Sequence, residues 1–231
     1  MKLSIIIPCY NESDFIEKVI DKINQQDISN KEIIVVDDGS NKKTKDILEK
    51  CLKNKKFQKL ITHEINLGKG KALKSGLKNI TGELIIFQDA DLEYDPNDYS
   101  KMVNPILLNK ADVVYGSRFL GSPEGQRVLY YWHRVANFIL TTLTNILINI
   151  NLTDMETGYK VFKKEAIKSI ELNENSFGIE PEITIKLALK KFRFYEVGVS
   201  YNGRTYDEGK KIKLKDAFEA VYCIFKYRFF K

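Results

Sequence analysis

The feature that most constrains the fold of this chain is a regular alternation of short β-rich runs with amphipathic helical patterns over its first half. The β-rich runs are Leu3–Ile7, Ile33–Asp37, Leu60–His63, Leu84–Gln88 and Asp112–Tyr115. The helical patterns between them are Asp14–Gln25, Thr44–Leu52, Gly70–Asn79 and Asp98–Leu108. This alternation predicts an α/β fold in which a mostly parallel central sheet carries helices on both faces.

Helical patterns predominate in the second half of the sequence. The predicted elements are a helix from about Val128 to Ile148, a turn at Asp154–Gly158, helices at Lys164–Ser169 and Pro181–Lys190, a strand at Arg193–Val199 and a helix at Leu214–Tyr227. The sequence contains no internal repeat and no Pro/Ser-rich linker. We therefore predict one domain over residues 1–231, with 212–231 forming a C-terminal amphipathic basic helix.

The composition excludes several classes of protein. With 43% hydrophobic and 29% charged residues in 231, the chain is neither disordered nor collagen-like nor a polytopic membrane protein. The uncharged run Val135–Thr153 has enough residues to span a bilayer, but four asparagines interrupt it. Cys9, Cys51 and Cys223 are scattered and odd in number, which favours a reducing cytoplasm. The net charge of +6 favours anionic partners.

Acidic residues follow two of the predicted strands directly. Asp37 and Asp38 end the second strand, and Asp89 and Asp91 follow the fourth. Ligands of open parallel sheets bind outside the carboxyl ends of the strands, and paired carboxylates suit a divalent cation. Asp-x-Asp alone favours a turn before a helix, but together with the second acidic cluster it favours the metal site. The sequence has no P-loop, and the stretch from Gly68 to Leu73 lacks the glycine spacing of a dinucleotide-binding loop.

Several longer motifs resemble those of family 2 glycosyltransferases. Three of them are Pro8-Cys9-Tyr10-Asn11-Glu12, Val36-Asp37-Asp38-Gly39-Ser40 and Asn66-Leu67-Gly68-Lys69-Gly70, and Gln88-Asp89-Ala90-Asp91-Leu92-Glu93 resembles the family's metal motif. Others resemble the dolichyl- and polyprenyl-phosphate sugar synthases: Gly116-Ser117-Arg118, Thr157-Gly158-Tyr159-Lys160, the stretch from Phe177 to Glu182, and the stretch from Gly203 to Lys210. The resemblance extends over nearly the whole chain and implies a GT-A fold.

The resemblance also implies roles for individual residues. The base and ribose of a nucleoside diphosphate sugar would contact Pro8, Tyr10, Glu12, Val36 and Asp38. The diphosphate would lie beside Asp89, Ala90 and Asp91, with Asp91 and Glu93 as ligands of Mn²⁺ or Mg²⁺. Basic positions near the phosphates are matched by Arg118, Arg204 and Lys210, and the acceptor phosphate position by Arg134. The catalytic positions matched are Asp89, Asp91 and Arg118.

The activity implied is inverting, metal-dependent transfer of a hexose from GDP-mannose or UDP-glucose to a polyprenyl or dolichyl phosphate. A phosphate nucleophile is already ionised at neutral pH, so it needs no general base. The enzymatic alternative is a family 2 enzyme with a glycan hydroxyl acceptor, for which Asp154, Glu180 or Glu182 are candidate bases. The third hypothesis is a non-catalytic module that binds a nucleotide sugar or a membrane surface. No nucleic-acid partner is expected.

A lipid acceptor requires contact with a membrane. Residues 214–231 combine aromatic side chains at helical spacing with cations, as interfacial helices do. Tyr130, Tyr131 and Trp132 are candidate anchors of a second interfacial segment. The alternative is a core-packing helix with a solvated basic face. We expect a cytoplasmic protein attached peripherally to the cytoplasmic face of a membrane.

Overall fold

The structure, a computed structural model, describes residues 1–28, 30–121, 127–128, 130–205, 207–208 and 214–230. Its strands are β1 (Leu3–Cys9), β2 (Lys31–Asp37), β3 (Lys59–Thr62), β4 (Leu84–Phe87), β5 (Val113–Ser117), β6 (Lys160–Lys163) and β7 (Phe194–Gly198). Its helices are α1 (Ile16–Gln25), α2 (Lys42–Lys53), α3 (Lys69–Leu77), α4 (Tyr99–Leu107), α5 (Tyr131–Ile148), α6 (Lys164–Lys168), α7 (Ile179–Leu189) and α8 (Leu214–Phe229). A short 3₁₀ turn precedes α4.

The strands of the described residues form one sheet in the order β3-β2-β1-β4-β6-β5-β7. Neighbours among β3, β2, β1 and β4 are parallel, as are β5 and β7, whereas β6 runs antiparallel to β4 and β5. The sheet is therefore mostly parallel, and the predicted α/β class is confirmed. The predicted elements agree with the observed bounds to within two residues, except that α5 begins at Tyr131.

Strand β6 is the element that the sequence pattern does not reveal. Its four residues, Lys-Val-Phe-Lys, are too few to show an alternating pattern, and a lysine stands at each end. Lys160 nevertheless lies in the core with no exposed surface, where it pairs with Glu180. A sequence pattern assigns lysine to the surface, because an unpaired ammonium is costly to bury, and the partner that makes this burial possible is distant in the chain.

Alternate side chains of the central strands fill two cores, one on each face of the sheet. Ile5 and Ile7 of β1 pack with Ile23 of α1 in one cluster. Ile6 points to the other face and packs with Leu73 of α3. Each fully buried side chain of this kind contributes roughly 1.5–3 kcal/mol, so the two cores fix the sheet firmly and hold its strand ends in place.

A third, smaller cluster joins α5, α7 and α8. Leu140 of α5, Ile185 of α7 and Ile224 of α8 are buried together in it. Within the described ranges, no helix is long and apolar enough to cross a membrane. The buried face of α5 includes the polar Asn137 and Thr141, and these side chains hydrogen-bond to the carboxylate of Asp154 and to the N–H of Met155.

Candidate active site

The candidate site lies at the edge of the sheet where β1, β2 and β4 end. Cys9 and Asp37 are partners at the ends of β1 and β2, and Phe87 ends β4 beside β1. Because the three strands are parallel, the segments that follow them leave the sheet at the same edge. The structure thus places three groups of predicted site residues on one edge, and these are Tyr10 and Glu12, then Asp38, and then Asp89 to Glu93.

The guanidinium of Arg204 connects several of these segments. Its Nη1 lies 3.1 Å from Oε2 of Glu12, and its Nη2 lies 2.6 Å from Oδ2 of Asp91. Its Nε and its backbone N–H both approach Oε1 of Glu93, at 3.2 and 2.9 Å. One planar guanidinium thus serves three carboxylates. Burial first, and then the charges of Asp89 and Glu93, raise the pKa of Asp91 although Arg204 opposes the shift.

Asp38, which the resemblance assigns to nucleotide contact, uses both of its carboxylate oxygens within the protein. Oδ1 accepts a hydrogen bond from the N–H of Leu67 at 3.0 Å and lies 2.6 Å from Nδ1 of His63. Oδ2 accepts from the N–H of Gly68 at 2.8 Å. Asp38 therefore holds the loop before α3 against the end of β2, and any contact with a nucleotide would come in addition to this role.

The remaining predicted base and ribose residues belong to β1 and β2 or follow β1, at the edge of the sheet where Asp38 lies. Pro8 and Val36 are paired residues of β1 and β2. Tyr10 is 37% exposed, so its ring is accessible for stacking.

Gly39 has a φ of +72°, and a Cβ there would lie 2.4 Å from the carbonyl carbon of Ile65. Only glycine lets the turn after β2 pass this close to the neighbouring loop.

Asp89 is held by a lysine of α3. Oδ1 of Asp89 lies 2.8 Å from Nζ of Lys69, the first residue of α3, and the neighbouring Ala90 is buried. A Cβ at Gly158 would lie 2.6 Å from Oδ2 of Asp89 and 2.9 Å from the lysine Nζ. The absence of a side chain at Gly158 is therefore what allows this ion pair to lie against the loop before β6.

Arg118 forms a buried bidentate pair with Asp154. Its Nε and Nη2 lie 2.7 Å from Oδ2 and Oδ1 of the carboxylate, which also accepts hydrogen bonds from the Arg118 N–H and from Nδ2 of Asn137. Arg118, which the resemblance places near the phosphates, is thus fixed within the protein. Asp154, one of the three candidate bases, has no exposed surface and four donors around it.

Arg134 and Arg118 approach the same aromatic ring. The guanidinium carbon of Arg134 lies 5.8 Å from the centroid of Phe119, and that of Arg118 lies 5.7 Å from it. The structure thereby brings the predicted acceptor-phosphate residue near a predicted donor-phosphate residue. Lys210, the remaining predicted basic residue, lies outside the described residues.

The acidic residues beside Arg204 fit a divalent cation that completes its coordination with substrate. In the part of the chain that the structure describes, no group of three or more His, Cys, Asp or Glu residues is arranged as a metal site. Mg²⁺ and Mn²⁺ prefer oxygen ligands, and Mg²⁺ is commonly bound by one or two carboxylates together with substrate phosphates. Asp91 and Glu93 can supply such ligands, and the surplus negative charge around Asp91 would be neutralised by the ion.

Three charged side chains that lie beside these residues have no role predicted from the sequence. Lys69 and Lys160 belong to motifs that resemble the family, but only the structure shows their partners. Oε1 of Glu156 is buried and finds no hydrogen-bond partner among the described residues. Burial, and then the charge of Glu180, raise the pKa of Glu156 to about 7. No sequence signal separates Glu156 from an ordinary loop glutamate.

Comparison with known proteins identifies the family. The sequence model described as "Glycosyl transferase family 2" matches residues 4–171, which is most of the chain. The chain therefore belongs to glycosyl transferase family 2, and the resemblance seen in its motifs is confirmed.

Similar proteins include several that act on dolichyl phosphate by name. The chain is 30% identical over 228 residues to "Dolichol-phosphate mannosyltransferase" of Pyrococcus furiosus, covering 98% of this chain and 63% of that protein. It is 26% identical to "Dolichyl-phosphate beta-glucosyltransferase ALG5A" of Trichomonas vaginalis, covering 99% of this chain and 73% of that protein. The chain thus spans less than two thirds of the length of the Pyrococcus relative.

Solved structures confirm the fold. Glucosyl-3-phosphoglycerate synthase from Mycobacterium tuberculosis, in complex with Mn²⁺, UDP and phosphoglyceric acid, superimposes with a TM-score of 0.76. The match covers 100% of this chain and 79% of that one, at 20% sequence identity. The same enzyme with Mg²⁺ and UDP gives a TM-score of 0.72 at 20% identity, covering 98% and 79%. The expected GT-A fold is therefore confirmed, whereas identity at this level carries no argument about substrate.

Proposed function

We propose that this chain transfers a hexose from a nucleoside diphosphate sugar to a polyprenyl or dolichyl phosphate. The reaction would depend on a divalent cation bound at Asp91 and would invert the configuration of the anomeric carbon. The observation that carries the proposal is the convergence of Glu12, Asp91 and Glu93 on Arg204 at the carboxyl edge of the sheet. Relatives named for dolichyl-phosphate mannosyl and glucosyl transfer support the acceptor class. We also propose that residues 1–231 act as one catalytic domain.

The donor half of the site would recognise a sugar nucleotide through an aromatic ring, carboxylates and a guanidinium. Tyr10 offers an accessible ring for the base, and Glu12 offers acceptor oxygens for hydroxyl groups. Arg204 would give up some of its carboxylate contacts when a cation binds, and would bind diphosphate oxygens bidentately in their place. Asp91 and Glu93 would hold Mn²⁺ or Mg²⁺, which supplies Lewis-acid neutralisation of the departing diphosphate.

The acceptor half would use Arg134 near Phe119 to bind the lipid phosphate. A phosphate monoester is ionised at neutral pH, so its oxygen can attack the anomeric carbon without a general base. The three carboxylates that a hydroxyl acceptor would need as a base are already engaged. Asp154 pairs with Arg118, Glu180 with two lysines and Glu182 with Lys186. Glu182 also accepts hydrogen bonds from two loop amides.

One observation favours a second candidate function, transfer to a glycan hydroxyl group. Glu156 combines a buried oxygen lacking a hydrogen-bond partner in the described structure with a pKa raised to about 7, the range suited to a general base. Under the main proposal, Glu156→Gln leaves transfer to a lipid phosphate intact. If the acceptor is a hydroxyl group, the same substitution should abolish transfer, because the hydroxyl proton then has no acceptor.

Two exposed aromatic faces support contact with a membrane. Phe218, Tyr222, Phe225 and Phe229 repeat at helical spacing along α8 and are between 41 and 70% exposed. The opposite face of α8 is buried, so this helix packs in the core and also presents an aromatic stripe. Trp132, near the start of α5, is 75% exposed. Exposed apolar faces with flanking cations suit peripheral binding to an anionic membrane, and we propose the cytoplasmic face.

Calorimetric titration with nucleotides tests the donor site. GDP and UDP are each titrated, with and without Mn²⁺, into the wild type and Asp91→Ala. The proposal predicts manganese-dependent binding of one nucleotide that is lost in the variant, and the base that binds identifies the donor class. If neither nucleotide binds a folded wild type, the proposed donor site is wrong and the non-catalytic membrane-binding module is favoured.

A further inference from the structure

Four side chains of alternating charge run from the core of the molecule to the candidate site. Lys160 of β6 pairs with Oε2 of Glu180 in α7, and Oε1 of the same carboxylate lies 3.4 Å from Nζ of Lys69. Lys69 in turn lies 2.8 Å from Oδ1 of Asp89. These residues come from β6, α7, α3 and the segment after β4, so the fold, and no local motif, brings them together.

The exposure of the four side chains rises steadily along the series. Lys160 is fully buried and Glu180 is 3% exposed, whereas Lys69 is 17% and Asp89 23% exposed. The inner end is completed by two backbone carbonyls, of Met155 and Thr157, that accept from the Lys160 ammonium. An ammonium has three donors, and at Lys160 all three have oxygen partners. The inner pair is therefore a fixed anchor, and the outer pair faces the site.

Lys69 is held on two sides by this arrangement. A lysine has a flexible four-carbon stem and ordinarily samples several rotamers. Here its ammonium lies between the carboxylates of Glu180 and Asp89, and the backbone at Gly158 limits the space around it. Two opposite charges and a close wall restrict the lysine, and the lysine in turn restricts the orientation of Asp89.

We propose that Lys69 is a positioning residue that fixes the Asp89 carboxylate for the transfer reaction, and that Glu180 and Lys160 anchor Lys69. This inference rests on the proposed function, because it assigns Asp89 to the reacting site. Asp89 lies two residues from Asp91 in a segment with a third carboxylate, Glu93. Without Lys69, repulsion within this segment would turn Asp89 away from its productive orientation.

A double-mutant cycle between Lys69 and Asp89 tests the proposal. The four proteins are wild type, Lys69→Met, Asp89→Asn and the double variant, and both turnover and manganese-dependent nucleotide binding are measured. A misplacement of about 1 Å commonly costs on the order of 100-fold in rate, so we expect Lys69→Met to lower kcat about 10- to 100-fold. If Lys69 acts through Asp89, the double variant is no slower than Asp89→Asn alone.

Lys71→Met is the matched control, since it removes the same charge from the same turn of α3. Residues two apart on a helix do not face each other, so this variant should keep wild-type kcat. Thermal melting of each variant verifies that it folds, and Lys69→Met is expected to fold because Glu180 keeps its pairing with Lys160.

Three outcomes would overturn the positioning role. They are wild-type kcat in Lys69→Met, an equal loss in Lys71→Met, and losses that multiply in the double variant. Nucleotide binding separates this test from the proposed function, because binding requires no acceptor. Coupling between the two residues in binding, without transfer by the wild type to any polyprenyl phosphate, would support the positioning role and contradict the proposed acceptor. Absence of nucleotide binding by the wild type would contradict both.

Discussion

Arg204 and Asp91 are 113 residues apart in the sequence, and their side chains meet at 2.6 Å. The same guanidinium contacts Glu12 and Glu93, so it joins the segments after β1, β4 and β7 at one point. The arginine that we propose as a phosphate ligand is thus also the counter-ion of the predicted metal ligands. Binding of a cation and a diphosphate would replace one set of charges by another at the same place.

Substitution of Arg204 by glutamine should abolish donor binding. Three carboxylates would then lie together without their shared cation, and the diphosphate would lose its bidentate partner. We expect kcat/KM to fall on the order of 100-fold or more, as loss of a buried charged partner predicts. Calorimetry and steady-state kinetics on the purified variant measure the two effects.

The control for this change is Arg193→Gln. Arg193 also pairs with a carboxylate, Asp112, but it does so on the surface where β5 and β7 begin. The Arg193→Gln variant should keep kcat/KM within about twofold of the wild type. The protein should also stay folded, since a surface ion pair contributes only about 0–1 kcal/mol to stability. Equal losses in the two variants would mean that Arg204 contributes no more than an ordinary surface charge.

Asp91→Asn should remove the requirement for a divalent cation together with most of the activity. The amide keeps the shape of the side chain but supplies no charge, so Mn²⁺ or Mg²⁺ would bind weakly. Loss of Lewis-acid stabilisation is expected to lower kcat on the order of 100-fold or more. Initial rates across a Mn²⁺ series, with the surface variant Asp21→Asn alongside, give the comparison. Wild-type turnover and metal response in Asp91→Asn would show that the ion binds elsewhere.

Gly158→Ala should lower the turnover rate clearly, whereas it should lower the melting temperature only modestly. The added Cβ would lie 2.6 Å from Oδ2 of Asp89 and 2.9 Å from Nζ of Lys69, so the ion pair must move. Both atoms lie at the ends of side chains, and the fold can adjust around them at a cost of about 1–3 kcal/mol. Turnover and thermal melting distinguish the two effects. A variant that melts lower but turns over normally would show that the geometry of this pair is unimportant for transfer.

Glu156 should make the protein less stable as the pH rises from about 4.5 to 7. Its pKa is raised from 4.5 to about 7 in the folded chain, so the folded state binds more protons than the unfolded state in this range. The free energy of unfolding therefore falls as the pH rises through this range. Glu156→Gln lacks this penalty and should exceed the wild type by about 1–3 kcal/mol at pH 8, with no difference near pH 4.

Urea denaturation at pH 4, 6 and 8 measures the effect, and the exposed Glu49→Gln serves as the control. Glu49 lies on α2, where a change from carboxylate to amide alters no buried contact. A constant difference between Glu156→Gln and the wild type across the three pH values would contradict the assignment, because the effect must follow ionisation.

The aromatic stripe of α8 and the start of α5 should bind anionic vesicles. Replacing Phe218 and Trp132 by serine removes two large exposed apolar side chains and should weaken flotation with phosphatidylglycerol-containing liposomes at least tenfold. Leu108→Ser, at the end of α4, removes an exposed apolar residue outside α5 and α8 and should have no effect. Absence of flotation by the wild type, even with anionic lipid, would rule out direct attachment.

The fold was largely predictable because its first half repeats a simple physical pattern. Each strand of that half ends in a polar segment, and the parallel arrangement brings Asp38, Asp89 and Asp91 to one edge without further information. The acidic edge of the site therefore follows from spacing alone. The roles of individual residues do not follow, and they came from the resemblance to the family.

The interactions that organise the site could not be predicted. Lys160 is buried because Glu180, 20 residues later, lies beside it, and Arg118 is fixed by Asp154 through a pairing across 36 residues. Such pairs depend on where the fold brings distant segments together, so no local pattern predicts them. Strand β6 was not predicted for the same reason, because a run of four residues with a lysine at each end becomes a strand only between β4 and β5.

The most direct test of the account is transfer of a labelled hexose to lipid. Purified wild type and Asp91→Asn are incubated with polyprenyl phosphate in detergent and with labelled GDP-mannose or UDP-glucose, with Mn²⁺ or with EDTA. The account predicts labelled polyprenyl phosphate from one donor, formed only by the wild type and only with the metal. The account is contradicted if neither donor labels the lipid phosphate, while the same wild type labels a glycan hydroxyl acceptor that is offered in its place.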